Sequence, residues 1–541
     1  MTDIEIPYKE ERGWKYRILE ILPGALSWFM LALPLILSLI NVTFASIFIL
    51  AYLLIFFARS VGVNIRAFQG YNIMQKHRKL PWADMLQELQ QGEVLDPDVK
   101  RPKWHMDNVK RHHDTPELIR PEDVIHVIMV ATYNESREVL EPTIQSIVAS
   151  DYDMKKVILV LAYEERGGEE VAKQAEALIA DYQQTFKFAW AVKHPADLPG
   201  EIRGKGGNIT YAGKILKKHL EEEGINPEHV LVTTLDADNR PDPKYLSALS
   251  YMYCLVPDPT HVSIQPISMY TNNIWDAPAP MRVIATGNTF FNIVLSLRPH
   301  MLRNFSAHAQ SMASLIQTNF WSTRTIVEDG HQFWRSYFRF EGDYRVIPLY
   351  VPIYQDAVLA DGYIKTFKAQ FIQLRRWTYG ASDIAYVITK GWLTPNKVPR
   401  LDLIPKTWRL IEGHVTWAVG PIISLTAGFI PAFFHSDSYT ANTLPIIVSN
   451  IQTVALVGLS ASLFVCFKTL PPKPARYRHH RSLFMLLQWV YLPVTTIVFN
   501  SFAALNSQTR LMFGRYLDKF DVTEKAVKTE EGDTISRDTK E

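Results

Sequence analysis

Two charge-free apolar runs, Ile21 to Ile40 and Val42 to Ala58, stand back to back with only Asn41 between them. A bilayer core takes about 20 apolar residues per helix, so the pair predicts a tight transmembrane hairpin. A cleaved secretory leader has a shorter apolar stretch and no second span directly behind it, which does not match. Val415 to Phe434, Leu444 to Phe467 and Leu483 to Leu505 also lack Asp, Glu, Lys and Arg, which brings the expectation to four to five membrane helices. Lys and Arg flank the hairpin on its outer ends and fill Lys468 to Arg481, whereas Asn41 and the stretch His435 to Thr443 have none. That asymmetry puts residues 59 to about 410 in the cytosol. The last run breaks the pattern: a full crossing leaves Arg510, Arg515 and Lys519 outside, and Pro493 sits mid-run, so spanning and re-entrant forms both stay open.

The rest of the composition excludes other classes. With 57 Lys+Arg against 55 Asp+Glu the net charge is +2, which argues against nucleic acid as a partner. Cys254 and Cys466 are the only thiols, too few for a disulfide scaffold. Between about 122 and 270, short β-branched runs alternate with helical patterns. Val124 to Tyr133, Lys156 to Tyr163 and His229 to Leu235 read as buried strands; Val139 to Ser150, Glu169 to Phe186 and Gly207 to Glu223 read as helices. Such alternation predicts an α/β domain with a mostly parallel, Rossmann-like sheet, whose ligands bind at the carboxyl ends of the strands. Thr132 to Glu135, Tyr163 to Arg166 and Asp236 to Asn239 are those ends. Asp236 and Asp238, two apart in extended backbone, point the same way and suit a divalent cation such as Mg2+ or Mn2+. Gly204 to Asn208 (GKGGN) opens a helix, where backbone amides and Lys205 can hold phosphate; a plain turn explains the glycines equally. Met281 to Leu297 is apolar but interrupted by Arg282 and Asn288, and is expected as an amphipathic helix on the cytosolic bilayer face, with a core helix as the alternative.

The order ATYNE (Ala131 to Glu135), DAD (Asp236 to Asp238), ED (Glu328, Asp329) and QLRRW (Gln373 to Trp377), bracketed by membrane helices, resembles the membrane-embedded family 2 glycosyltransferases, which include cellulose and hyaluronan synthases. The resemblance implies a GT-A fold and inverting transfer from a UDP- or GDP-sugar to a saccharide or lipid-linked acceptor. It implies catalysis by Glu328 and Asp329, with Asp329 as the base, and a metal on Asp238 and Asp236. Donor contacts would come from Asp236, Glu135, Glu164, Lys205 and Arg376, and acceptor contacts from Gln373 and Trp377. Relatives carry an aspartate pair after the second strand to read the base; here Tyr163-Glu164-Glu165 stands in that place, which leaves the nucleotide open. His331 is read as a structural histidine.

The expected layout is a cytosolic flank over 1–20, the hairpin over 21–58 and a linker over 59–120. The catalytic domain with interfacial helices follows over 121–395, then further membrane helices over 410–506 and a disordered tail over 521–541. A hexosyltransferase of the plasma membrane follows, either a processive polysaccharide synthase or an enzyme adding one sugar to a lipid carrier. A transporter or an inactive scaffold is the reading from another class. The spans contain no charged residues, which disfavours the transporter.

Overall fold

The computed structural model describes residues 4–96, 98–478, 480–518, 527–528 and 534–535. Helix α1 (Trp14–Ile40) and helix α2 (Val42–Lys79) form the predicted hairpin. The break is made by Asn41, whose Oδ1 accepts from the backbone N–H of Thr43 at 2.8 Å and caps α2. Helix α2 does not end with the apolar run but continues as one rod to Lys79. Its foot is pinned by Arg78, 3.0 Å from Asp242. The expected linker continues with α3 (Trp82–Gln91) and α4 (Lys103–His113). Both are clipped onto the α/β domain by buried Glu88, which takes Arg101 and His105 at 2.7 Å each, while His105 reaches the Tyr251 hydroxyl at 2.8 Å.

The domain that follows is built as β1 (Ile125–Thr132), α5 (Arg137–Val148), β2 (Val157–Glu164), α6 (Glu169–Tyr182), β3 (Phe188–His194), α7 (Lys205–Glu222), β4 (Val230–Asp236), β5 (Arg240–Pro241) and α8 (Tyr245–Cys254). It continues with β6 (Val262–Tyr270), α9 (Ala279–Ser296), β7 (Ala309–Ser311), α10 (Met312–Gln317), α11 (Glu328–Arg339), β8 (Arg345–Gln355), α12 (Tyr363–Thr378) and α13 (Asp383–Ile388). The eight strands make one sheet in the order β3-β2-β1-β4-β7-β6-β8-β5. The first four are parallel, as the alternating pattern predicts. β7 then runs antiparallel to β4 and β6, and β5 antiparallel to β8, so the sheet is mixed beyond β4. All eight residues of β2 are buried, which explains its uninterrupted apolar sequence.

Helix α9 departs from the expected amphipathic helix on the bilayer surface. Most of it is buried, packed between β6 and α2. Its polar interruption at Arg282 is satisfied internally, donating to Ala277 O at 2.8 Å and to the Gln488 side chain. The approach to α2 is close: a Cβ at Gly70 would lie 2.6 Å from Ile293.

The C-terminal region comprises α14 (Arg400–Thr426), α15 (Ile430–Phe434), α16 (Tyr439–Thr469), α17 (His480–Leu487), α18 (Leu492–Thr495) and α19 (Phe502–Met512). Among the described residues, four helical stretches are long and apolar enough to cross a membrane: Trp14–Ile40, Val42–Lys79, Arg400–Phe434 and Arg481–Met512. The last is wound irregularly around Pro493, with a π-helical turn over Thr496–Ser501. Of the tail, Val527–Lys528 and Thr534–Ile535 pair antiparallel, and the remainder lies outside the described residues. The chain is an α/β domain combined with an α-helical membrane-type region.

Candidate active site

Strand register sets the site. Ala131 of β1 pairs with Ala162 of β2 and with Asp236 of β4, so Thr132, Glu164 and Asp236 finish side by side at one edge of the sheet. The loops leaving that edge line a cavity of about 1790 Å³. Every residue singled out from the sequence for catalysis, donor, acceptor or metal lines this one cavity.

At its centre is Lys205. Its ammonium lies 2.9 Å from Asp236 and 3.6 Å from Asp329, so one cation bridges the end of β4 and the start of α11. Burial opposes the charge, but the fields of Asp236, Asp329 and Glu328 outweigh it and hold the lysine well above its ordinary range. Asp236 also accepts from Ser306 Oγ at 2.7 Å. The glycines after Lys205 have a packing reason. A Cβ at Gly206 would stand 2.3 Å from the Ser322 carbonyl and 3.2 Å from the Glu328 Cβ, so only glycine lets α7 start against α11.

Glu328 and Asp329 occupy the first turn of α11, where the helix dipole favours carboxylates. Burial and the neighbouring Asp329 push the Glu328 carboxyl up, against the pull of Lys205 and Arg376. On the other side of Asp329, 3.9 Å away, is the His308 Nδ1. That ring donates from Nδ1 to the Phe305 carbonyl at 2.9 Å and accepts at Nε2 from the Trp321 indole at 3.3 Å. Burial lowers its pKa, which keeps it neutral. Asp329 therefore faces one ammonium and one neutral imidazole. His331 is buried against Asp383, at 2.8 Å, and the Tyr386 ring.

Asp238 is held by its surroundings: its Oδ2 accepts from the Asp356 N–H at 3.1 Å and its carbonyl from Asn272 at 3.0 Å. Asp236 and Asp238 offer hard oxygen donors to the same cavity. Among the described residues no group of three or more His, Cys, Asp or Glu is arranged for a metal. Two carboxylates facing one cavity have the donor chemistry for a Mg2+-like ion, which takes the rest of its shell from water and phosphate oxygens.

The two remaining glutamates differ. Glu164 is buried and already takes Arg166 at 2.7 Å and His194 at 3.1 Å; His194 also lies 3.1 Å from Glu201. Burial opposes the imidazolium, but Glu164 and Glu201 raise His194 to about 9. Glu135 Oε2 accepts from Thr132 Oγ1 and Tyr133 N–H at 2.8 Å, so it shapes its own loop at the cavity edge. On α12, Gln373, Arg376 and Trp377 share one face, as their spacing requires. Trp377 lies 6.0 Å from the Tyr270 ring, and Gln373 accepts from Gln370. The cavity continues past them to Gly413 and Trp417 of α14 and Thr495 of α18. Sequence reasoning missed Ser306 and His308, which lie in an irregular stretch with no periodicity to mark them.

No protein-family model and no curated protein matches the chain. Similar solved structures include a mannosyltransferase from Pyrobaculum calidifontis in complex with GDP-Man and Mn2+, at 14% identity over 81% of this chain and 98% of that one, with a TM-score of 0.37. S. aureus TarS 1-349 in complex with UDP-GlcNAc matches at 11% identity over 73% and 93%, TM-score 0.31. GalNAc-T7 with UDP, GalNAc and Mn2+ matches at 9% over 58% and 55%, TM-score 0.30.

Proposed function

We propose that the chain is a membrane-bound inverting glycosyltransferase of the family 2 type, with its GT-A domain on the cytosolic face of the plasma membrane. It moves a hexose from a UDP- or GDP-sugar to the hydroxyl of a saccharide or lipid-linked acceptor. The observation that supports this most is the Lys205 bridge, which holds the donor-side Asp236 and the base Asp329 within reach of one ammonium. In this reading Asp329 takes the acceptor proton as the hydroxyl oxygen attacks the anomeric carbon, and the sugar's bond to the diphosphate breaks. Lys205 and Arg376 meet the charge that develops on the departing diphosphate. Trp377 would give the acceptor sugar a stacking surface, and Glu164 would contact the donor's nucleobase. Asp238 and Asp236 would hold Mg2+ or Mn2+, which supplies further neutralisation of the diphosphate. The continuation of the cavity between α14 and α18 leaves room for the body of an acceptor beyond Trp377.

Purified protein in detergent with Mn2+ or Mg2+ is expected to release UDP or GDP from a matching nucleotide sugar. Asp329→Asn is expected to lower turnover by about 10²–10⁴-fold while the donor still binds. Undiminished turnover in that variant removes Asp329 as the base.

A further inference from the structure

Arginines without carboxylate partners collect on the cavity wall formed by α9, α14 and the loop between α9 and β7. Arg303 and Arg409 line the cavity, and Arg298 and His300 lie within their electrostatic reach. The nearby acids are already engaged: Glu412 pairs with Arg59, and Asp402 with Lys406 and the Tyr337 hydroxyl. Among the described residues, Arg298, Arg303 and Arg409 enter no ion pair. Burial, with Arg409 adding to it, pulls Arg303 down to about 10 against Tyr337 and Asp402. A wall that holds uncompensated cations at this density is built for an anion.

The same wall carries apolar side chains among polar ones, with Asn288 and Asn292 of α9 also lining it. Val283, Phe291 and Leu295 lie on one face of α9, running about 18 Å along the cavity, with Leu410 opposite on α14. Arg303 is held over the rings of Phe333 at 4.0 Å and Trp334 at 4.9 Å. Trp334 is five residues beyond Asp329 on α11, about 7.5 Å of helix rise. Arg303 and Asp329 both line the one cavity, so a phosphate at the first and a hydroxyl at the second can belong to one ligand.

We propose that this wall seats the phosphate of a lipid-phosphate-linked sugar, the acceptor, with its hydrocarbon chain against Val283, Phe291 and Leu295 of α9 and Leu410 of α14. The inference rests on the glycosyltransferase reading above. The hydroxyl oxygen of the lipid-linked sugar forms the new bond to the anomeric carbon, and its proton passes to the Asp329 carboxylate. The bond from that carbon to the diphosphate breaks, and its electron pair leaves on the diphosphate oxygen.

Farnesyl phosphate is the probe, titrated into the full chain in a nonionic detergent and followed by tryptophan fluorescence. Saturable binding is expected, with farnesol and inorganic phosphate each much weaker. Arg409→Gln and Arg303→Gln are each expected to weaken it by about tenfold, the loss of one charge-assisted contact. Arg409→Gln removes no side-chain hydrogen bond or ion pair among the described residues, so it stands as the control should Arg303→Gln disturb α11. Unchanged binding in the Arg409→Gln variant overturns the proposal. So does equal displacement by phosphatidylglycerol, which assigns these arginines to bulk lipid headgroups. Nucleotide-sugar binding to the wild type, measured in parallel, tests the parent reading separately: farnesyl phosphate binding without it leaves the anion site standing and removes the glycosyltransferase.

Discussion

Replacing Lys205 by Met keeps the unbranched stem and removes the one cation between Asp236 and Asp329. At an effective dielectric constant of about 20, distances of 2.9 and 3.6 Å correspond to gross attractions of about 6 and 5 kcal/mol. Desolvation of the buried ammonium cancels much of this, and deleting one partner of a buried pair costs about 3–5 kcal/mol. The Asp236 side chain is 37% exposed, so water rescreens it and the lower figure, about 3 kcal/mol, applies. Thermal unfolding in detergent at pH 7.5 should show the melting temperature falling by roughly 5 °C or more. Because both carboxylates then lose that ammonium, Mn2+ should raise the melting temperature further in Lys205→Met than in the wild type. Lys205→Arg should recover most of the loss. An unchanged melting temperature, together with equal Mn2+ effects in both proteins, would refute the bridge as the organiser of the site.

Three further outcomes are expected. His194 sits above its unfolded value, so its stabilisation is complete below about pH 6.5 and lost as pH rises to about 9. That is about 3 kcal/mol over the window, visible as a melting temperature that declines through it in the wild type and stays flatter in His194→Gln. Gly206→Ala should destabilise by about 1–3 kcal/mol, because the methyl meets the Ser322 carbonyl, and it should impair turnover through displaced Glu328; a wild-type melt and rate would discard the close approach of α7 and α11. Asp329→Asn is expected to separate donor binding from transfer, read by nucleotide-sugar titration beside diphosphate release.

Strands β1, β2 and β4 and helices α5, α6 and α7 were legible because each is a short β-branched run or a 3.6-residue pattern, and the observed ends differ from the expected ones by a few residues; β3 (Phe188–His194), whose run alternates with Trp190 and Lys193, was not read from the sequence. β6, β7 and β8 were not, since β7 is only Ala309–Ser311 and β8 carries Pro348 and Pro352 within its run. Helix α9 was misplaced because hydropathy counts Arg282 as polar without knowing that Ala277 and Gln488 receive it. The site residues were legible from motif order alone, yet their joint placement depends on strand register. The Lys205 bridge and the neutral His308 are contacts between segments far apart in the chain, which no local pattern encodes.

The unbroken α2 also works as a ruler. A helix from Val42 to Lys79 is about 57 Å long, and a hydrocarbon core takes about 30 Å of it. The remainder is a stiff post whose foot, Arg78, is bolted to Asp242 just beyond β4, the strand that carries Asp236. The height and rotational setting of the sheet edge that carries Asp236, relative to the apolar part of α2, are thereby fixed by one count of residues: each residue added to the post lifts its foot by about 1.5 Å and turns it by about 100°. The mouth of the cavity is held in register with the apolar hairpin by arithmetic rather than by a flexible tether.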